Sequence, residues 1–198
     1  MILAEIGEIG VHAGGQVHVL CPSLYAMSKL GSPNEIVSLY AEVMSDQPTM
    51  GGALTVIFAC CDEDLSEIFG AWIERDGKWA YERGQAEPAE VIVLARALLT
   101  DGITGALPPL PRKADEEPEY VQEFDTRAHV ALAVAHLGIP ERDAWQMTMT
   151  SLVAALRAKF PPQASDAPGS RAPSKEQMEA TMEWFDRVTA ARDKKTRN

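Results

Sequence analysis

The sequence is short of cysteine, of positive charge and of long apolar runs, and each shortage excludes something. Three cysteines, two of them adjacent, do not make a disulfide framework, so a reducing compartment is the simpler setting. No apolar run approaches the roughly 18 residues that a spanning helix needs, and no basic segment followed by a short apolar one stands at the N-terminus. The expectation is a protein of the cytoplasm with no membrane contact. Lysine and arginine number 18 against 29 aspartates and glutamates, a formal net charge of −11. That balance argues against a nucleic-acid surface, because phosphate binding needs clustered bases. Catalytic signatures are missing as well. There is no G-x-S-x-G elbow, no H-E-x-x-H, no phosphate-cradling G-x-x-x-x-G-K and no G-x-G-x-x-G opening a helix. These absences lead to the expectation of a protein that is not an enzyme and carries no cofactor.

What is present fits an α+β protein, mostly α. At 198 residues and 46% hydrophobic content, the chain can hold one sizeable core, or one core with an appendage. Gly14-Gly15 between two loosely alternating stretches, Ile2–Ala13 and Gln16–Cys21, reads as an N-terminal β-hairpin. Pro22-Ser23 opens a helix that Gly31 ends. Ser32-Pro33-Asn34-Glu35 is a capping box for a second helix, with Ile36, Val37, Tyr40, Val43 and Met44 on one face. Gln47–Gly52 is a break, and the apolar run Ala53–Cys61 reads as a buried helix, with a strand as the alternative. Asp64-Leu65-Ser66-Glu67 offers another capping box, leading to Ile68, Phe69 and Trp72. Arg75-Asp76-Gly77-Lys78 is a turn with Trp79 and Tyr81 alternating beside it, which suits a second, minor hairpin. Pro88–Thr100 has the clearest helical stripe, and Gly102 is expected to stop it.

Punctuation divides the rest. Four prolines lie in Leu107–Pro118 and six acids in Asp115–Asp125, so residues 106–124 read as a stiff acidic linker after a first lobe of residues 1–105. Thr126–Leu137 is a helix within a small helical lobe, residues 125–160. A Pro- and Ala-rich linker, 161–173, then leads through the capping box Ser174-Lys175-Glu176-Gln177 to a tethered amphipathic helix, 174–198. From Asp186 to Asn198 five bases outweigh two acids, so this end is +3 and the remainder −14.

Few constellations carry chemistry. A two-residue loop at Gly14-Gly15 sets His12 opposite Val17 and His18 opposite Val11, so the imidazoles point to opposite faces and cannot share an ion. Cys60-Cys61 lacks the gap that lets two thiolates reach one zinc, and the pair reads as small buried residues. Asp62-Glu63-Asp64 lacks the spacing of a calcium loop. His129 and His136 share a helix face about 10 Å apart, too far to work together directly. No metal site is expected. The last helix is different. Its Met178 and Met182 suit an adaptable binding surface, and Trp184 and Phe185 can anchor a partner, or the helix can dock on its own core or, by self-association, on a neighbouring copy.

The segment LGIPERDAWQMTMTSLVAALRAK, Leu137–Lys159, is the most informative. Leu137-Gly138 closes one helix, Ile139-Pro140 starts a short one, Trp145 ends it facing inward, and Thr148 or Thr150 caps a third carrying Leu152, Val153 and Leu156. Trp145 is therefore a further partner-binding candidate. This stretch, together with IGVHAGGQVHVLCPSLYAMSKLGSPNEIV, resembles the tail assembly chaperones of long-tailed bacteriophages. The middle, with ACCDEDLSEIFG and ARALLTDGITG, is similar in general pattern to uncharacterised phage proteins encoded among tail genes, and together these motifs cover about half of the chain. By the resemblance Leu137, Gly138, Trp145, Thr148 and Leu152 are structural positions. It implies a non-catalytic protein of the host cytoplasm that keeps the tape measure protein soluble and helps tail tube protein assemble around it. The alternatives are a minor tail or tail-completion protein retained in the virion, and a small phage regulator of a host protein.

Overall fold

The computed structural model describes residues 2–108 and 122–161. The chain divides into two units, Met1–Phe160 and Pro161–Asn198. Met178, Met182, Trp184, Phe185 and the expected terminal helix lie outside the described residues. The first unit is α+β and mostly α, with two antiparallel hairpins set among eight helices in the described residues.

The N-terminal hairpin pairs β1 (Ile9–Ala13) with β2 (Gln16–Leu20). Gly14 and Gly15 take φ of 57° and 77°, the mirror-image turn whose twist matches the strands and which only glycine adopts without strain at both positions. The register sets His12 against Val17 and Val11 against His18, as a two-residue loop requires. β1 is shorter than the sequence suggested, because Ala4–Ile6 winds into a 3-10 turn.

Helix α1 (Leu24–Ser28) is capped by Ser23, whose hydroxyl accepts the Ala26 N–H. Helix α2 (Pro33–Met44) begins with the expected box: the N–H and hydroxyl of Ser32 both donate to Glu35 Oε2 at 2.7 Å. Those two bonds hold the Glu35 carboxyl below its ordinary range. The carboxylate form is thus favoured in the folded state. Its contribution is complete above the unfolded pKa and fades as pH falls through the lowered folded value. Replacing Ser32 by alanine should return the Glu35 pKa toward the ordinary value, an upward shift that carboxyl-carbon NMR titration will read.

Helix α3 (Met50–Ala59) is apolar on nearly every side and runs through the core, with Ala53, Val56 and Ile57 fully buried. It starts inside the expected break because Thr49 caps it, accepting the Gly52 N–H at 3.0 Å. Asp64 Oδ1 accepts the Ser66 N–H ahead of α4 (Ser66–Phe69), but that helix stops at Gly70. Trp72 therefore belongs to β3 (Ala71–Arg75), which pairs with β4 (Lys78–Glu82) in the second hairpin.

Helix α5 (Pro88–Leu99) packs along α3 through Val91, Ala95 and Leu98. Its Arg96 side chain donates to the carbonyls of Val43 and Ser45, closing the open end of α2. Gly102 does not stop this helix. The chain continues as a π-helical turn, Thr100–Thr104, with Gly102 against Met27, where a Cβ would come within 2.6 Å of the Met27 sulfur.

The stretches expected as separate lobes, residues 1–105 and 125–160, lie within one unit. One buried cluster runs from Leu20, Leu24 and Met27 through α3 and α5 to Phe124, Val130, Ala144 and Leu152. The described ends of the expected linker are part of this packing: the Phe124 side chain is buried, its N–H donates to Pro33 O, and Ala106 N–H donates to Thr150. Charge and proline content marked the linker, yet its two ends pack on the same core. Residues 109–121 lie outside the described residues.

Candidate partner-binding groove

The segment 126–160 folds from strong local signals. Asp125 caps α6 (Thr126–Leu132), accepting N–H bonds from Arg127 and Ala128. The helix then widens into a π-helical turn, Ala133–Leu137, and Gly138 at φ 68° ends it. π-turns recur at functional positions because they alter which side chains share a face. Pro140 stands at the cap of α7 (Glu141–Gln146) rather than inside its first turn, and its carbonyl accepts the N–H bonds of Asp143 and Ala144. Thr148, not Thr150, caps α8 (Met149–Lys159).

These two threonines also clasp the segment to the rest of the unit. The Thr148 hydroxyl donates to Ile6 O, and Leu24 N–H donates to Met147 O at 2.8 Å. The Thr150 hydroxyl donates to Asp101 Oδ1 at 2.6 Å and accepts the Ala106 N–H at 2.9 Å. The N-terminal turn, α1 and the first π-turn are all held by the four residues Met147–Thr150.

Between α6 and α7 lies an open groove of about 510 Å³. Val130, Ala131, Val134 and Ala135 form one wall, Trp145 the other, and Arg127 and Glu141 stand on its rims. Trp145 packs against the core, as expected, but is only partly buried, and it also lines the groove. Ala144 is the α7 residue fully buried in the core, and the indole is half-buried along the groove. Positions 127, 130, 131, 134 and 135 follow helical spacing, so the stripe is readable in the sequence. Val134 is 39% exposed. A second apolar groove, about 490 Å³, runs between the π-turn and α8 past Leu132, Leu156 and Phe160.

The chemical candidates hold structural posts. His18 Nδ1 lies 2.5 Å from Glu63 Oε2, and His129 Nδ1 bonds Asp125 O and stacks on Phe124. Cys60 is buried, which pushes its thiol far up, and Cys21, partly buried, is raised for the same reason. Among the described residues no three His, Cys, Asp or Glu side chains gather as they would around a metal ion. Among the same residues no helix is long and apolar enough to cross a membrane.

Residues 47–180, which include both grooves, match the pattern of a family of unknown function, DUF6246. The chain belongs to that family. The matched span starts just before α3 and holds every residue of the Trp145 groove, so the groove is built entirely within the family's own segment. No curated protein and no solved structure matches the chain.

Proposed function

We propose that this protein is a non-catalytic tail assembly chaperone of a long-tailed phage, working in the host cytoplasm. Its client is the tape measure protein, the tail tube protein or both. The observation that carries the reading is the groove beside Trp145: an apolar floor of small and branched side chains, open to solvent, with one base and one acid on its rims. Such a groove suits the apolar stripe of an amphipathic helix, taken up at i, i+3, i+4 and i+7. A long hydrophobic client supplies helices of that kind. The resemblance of Leu137–Lys159 to such chaperones supports the same assignment. So does the use of His18, His129, Thr148 and Thr150 in structural bonds. A net charge of −11 helps keep a complex with an apolar client in solution.

Co-expression with the tape measure and tail tube proteins, followed by pull-down, tests the reading. Absence of both from the bound fraction would count against it. Mass spectrometry of purified virions separates it from a retained tail protein, since a chaperone leaves the particle. Val134→Asp places a charge in the groove at an exposed position. It should abolish client capture while stability stays within about 0.5 kcal/mol, as a thermal melt will show.

A further inference from the structure

We propose that the outer edge of β4 is a self-recognition surface, on which a second copy of this chain adds its own β4 antiparallel to make a continuous four-stranded sheet. The proposal is independent of client binding and uses neither groove.

The second hairpin has two strands, and among the described residues no other strand pairs with the outer edge of β4. Asp76 and Gly77, at φ 53° and 72°, form a mirror-image turn that makes Arg75 and Lys78 a hydrogen-bonded pair. Alternation along the ladder puts Ile73 with Ala80, and Ala71 with Glu82, in the same class. The main-chain groups of Lys78, Ala80 and Glu82 are thus used by β3, while those of Trp79 and Tyr81 point to the open edge.

That alternation fits a two-fold axis at Ala80. Trp79 then meets the partner's Tyr81, and Tyr81 the partner's Trp79, each pair exchanging both N–H···O=C bonds. Lys78 falls opposite the partner's Glu82 and Glu82 opposite the partner's Lys78, while two alanines meet at the axis. Opposite charges across a pair of strands favour this register and like charges oppose it. The other strands lack the pattern. The same operation on β3 sets Trp72 against Glu74 and Ala71 against Arg75, and on β2 it sets His18 against itself.

Among the described residues nothing covers the middle of this edge. β4 has no proline, its charges sit only at its ends, and Trp79 between them is 68% exposed. A lone two-stranded hairpin is marginal, and a second pair of strands stabilises it. In the joined sheet Trp72, Trp79 and Tyr81 of both copies share one face, since alternate residues point the same way.

Sedimentation velocity on the full chain over a micromolar to submillimolar range tests this, with far-UV circular dichroism to check folding. The natural chain should dimerise. Lys78→Glu leaves two acids on the strand and Glu82→Lys two bases, so each alone should dimerise at least about tenfold more weakly. An equimolar mixture of the two should restore dimers, because each strand then faces its complement. The double variant Lys78→Glu/Glu82→Lys should dimerise like the natural chain. A natural chain monomeric at every concentration overturns the proposal. So do single variants that pair as tightly as the natural chain, or a mixture no tighter than its components.

Discussion

Expressed alone, residues 1–108 will show no cooperative thermal transition. Leu24 and Met27 of α1 are fully buried, and α6 and α7 form one side of that burial. Fully uncovering side chains of this size costs about 1.5–3 kcal/mol each, so removing one side of their cover forfeits up to roughly 3–6 kcal/mol for the pair. A domain's whole stability is about 5–15 kcal/mol. The cut also removes the bonds from Leu24 N–H to Met147 O, from Thr148 to Ile6 O and from Thr150 to Asp101. Each contributes about 0.5–1.5 kcal/mol. Near-UV circular dichroism and calorimetry of the fragment will read the outcome. A sharp transition close to that of the full chain would mean that residues 1–108 form a domain of their own.

The local features were readable because their causes are local. Gly14-Gly15 needs positive φ twice, Ser32 and Glu35 lie three apart, and Gly138 ends a helix; each fixes its geometry within a few residues. The buried helix α3 showed itself by composition. What sequence could not supply was the partner of each face. The run of prolines and acids after residue 106 looked like a boundary. Nothing in that local pattern announces that Phe124 returns to Pro33 or that Thr150 reaches Asp101 across 49 positions. The π-turns were hidden for a related reason: Gly102 is a helix-stopping residue by propensity, and its close packing against Met27 overrides that tendency. Trp145 shows the same limit at the candidate site. Its spacing placed it on an inward face, and it does pack on the core, but the neighbouring Ala144 is the fully buried residue and the indole, only partly covered, also lines the groove.

Thr148→Val will lower stability by about 2–4 kcal/mol, whereas Thr148→Ser will stay within about 1 kcal/mol of the natural chain. The two side chains of the first change have nearly the same shape, so packing is preserved and only the hydroxyl is lost. That hydroxyl has two tasks at a residue only 1% exposed. It accepts the Ser151 N–H at the start of α8, a cap worth about 0.5–2 kcal/mol. It also donates to the partly buried Ile6 O across most of the unit, and a carbonyl left without a partner there costs up to about 1–3 kcal/mol. Serine keeps the oxygen and forfeits one methyl group. Urea unfolding monitored by tryptophan fluorescence will give both values. Equal losses for the two variants would place the threonine's contribution in its methyl group and not in the clasp. At temperatures where Thr148→Val remains folded, client capture should be unchanged. The clasp orients α6 and α7 without touching the groove, so a variant that is stable yet fails to bind would assign Thr148 to the binding surface itself.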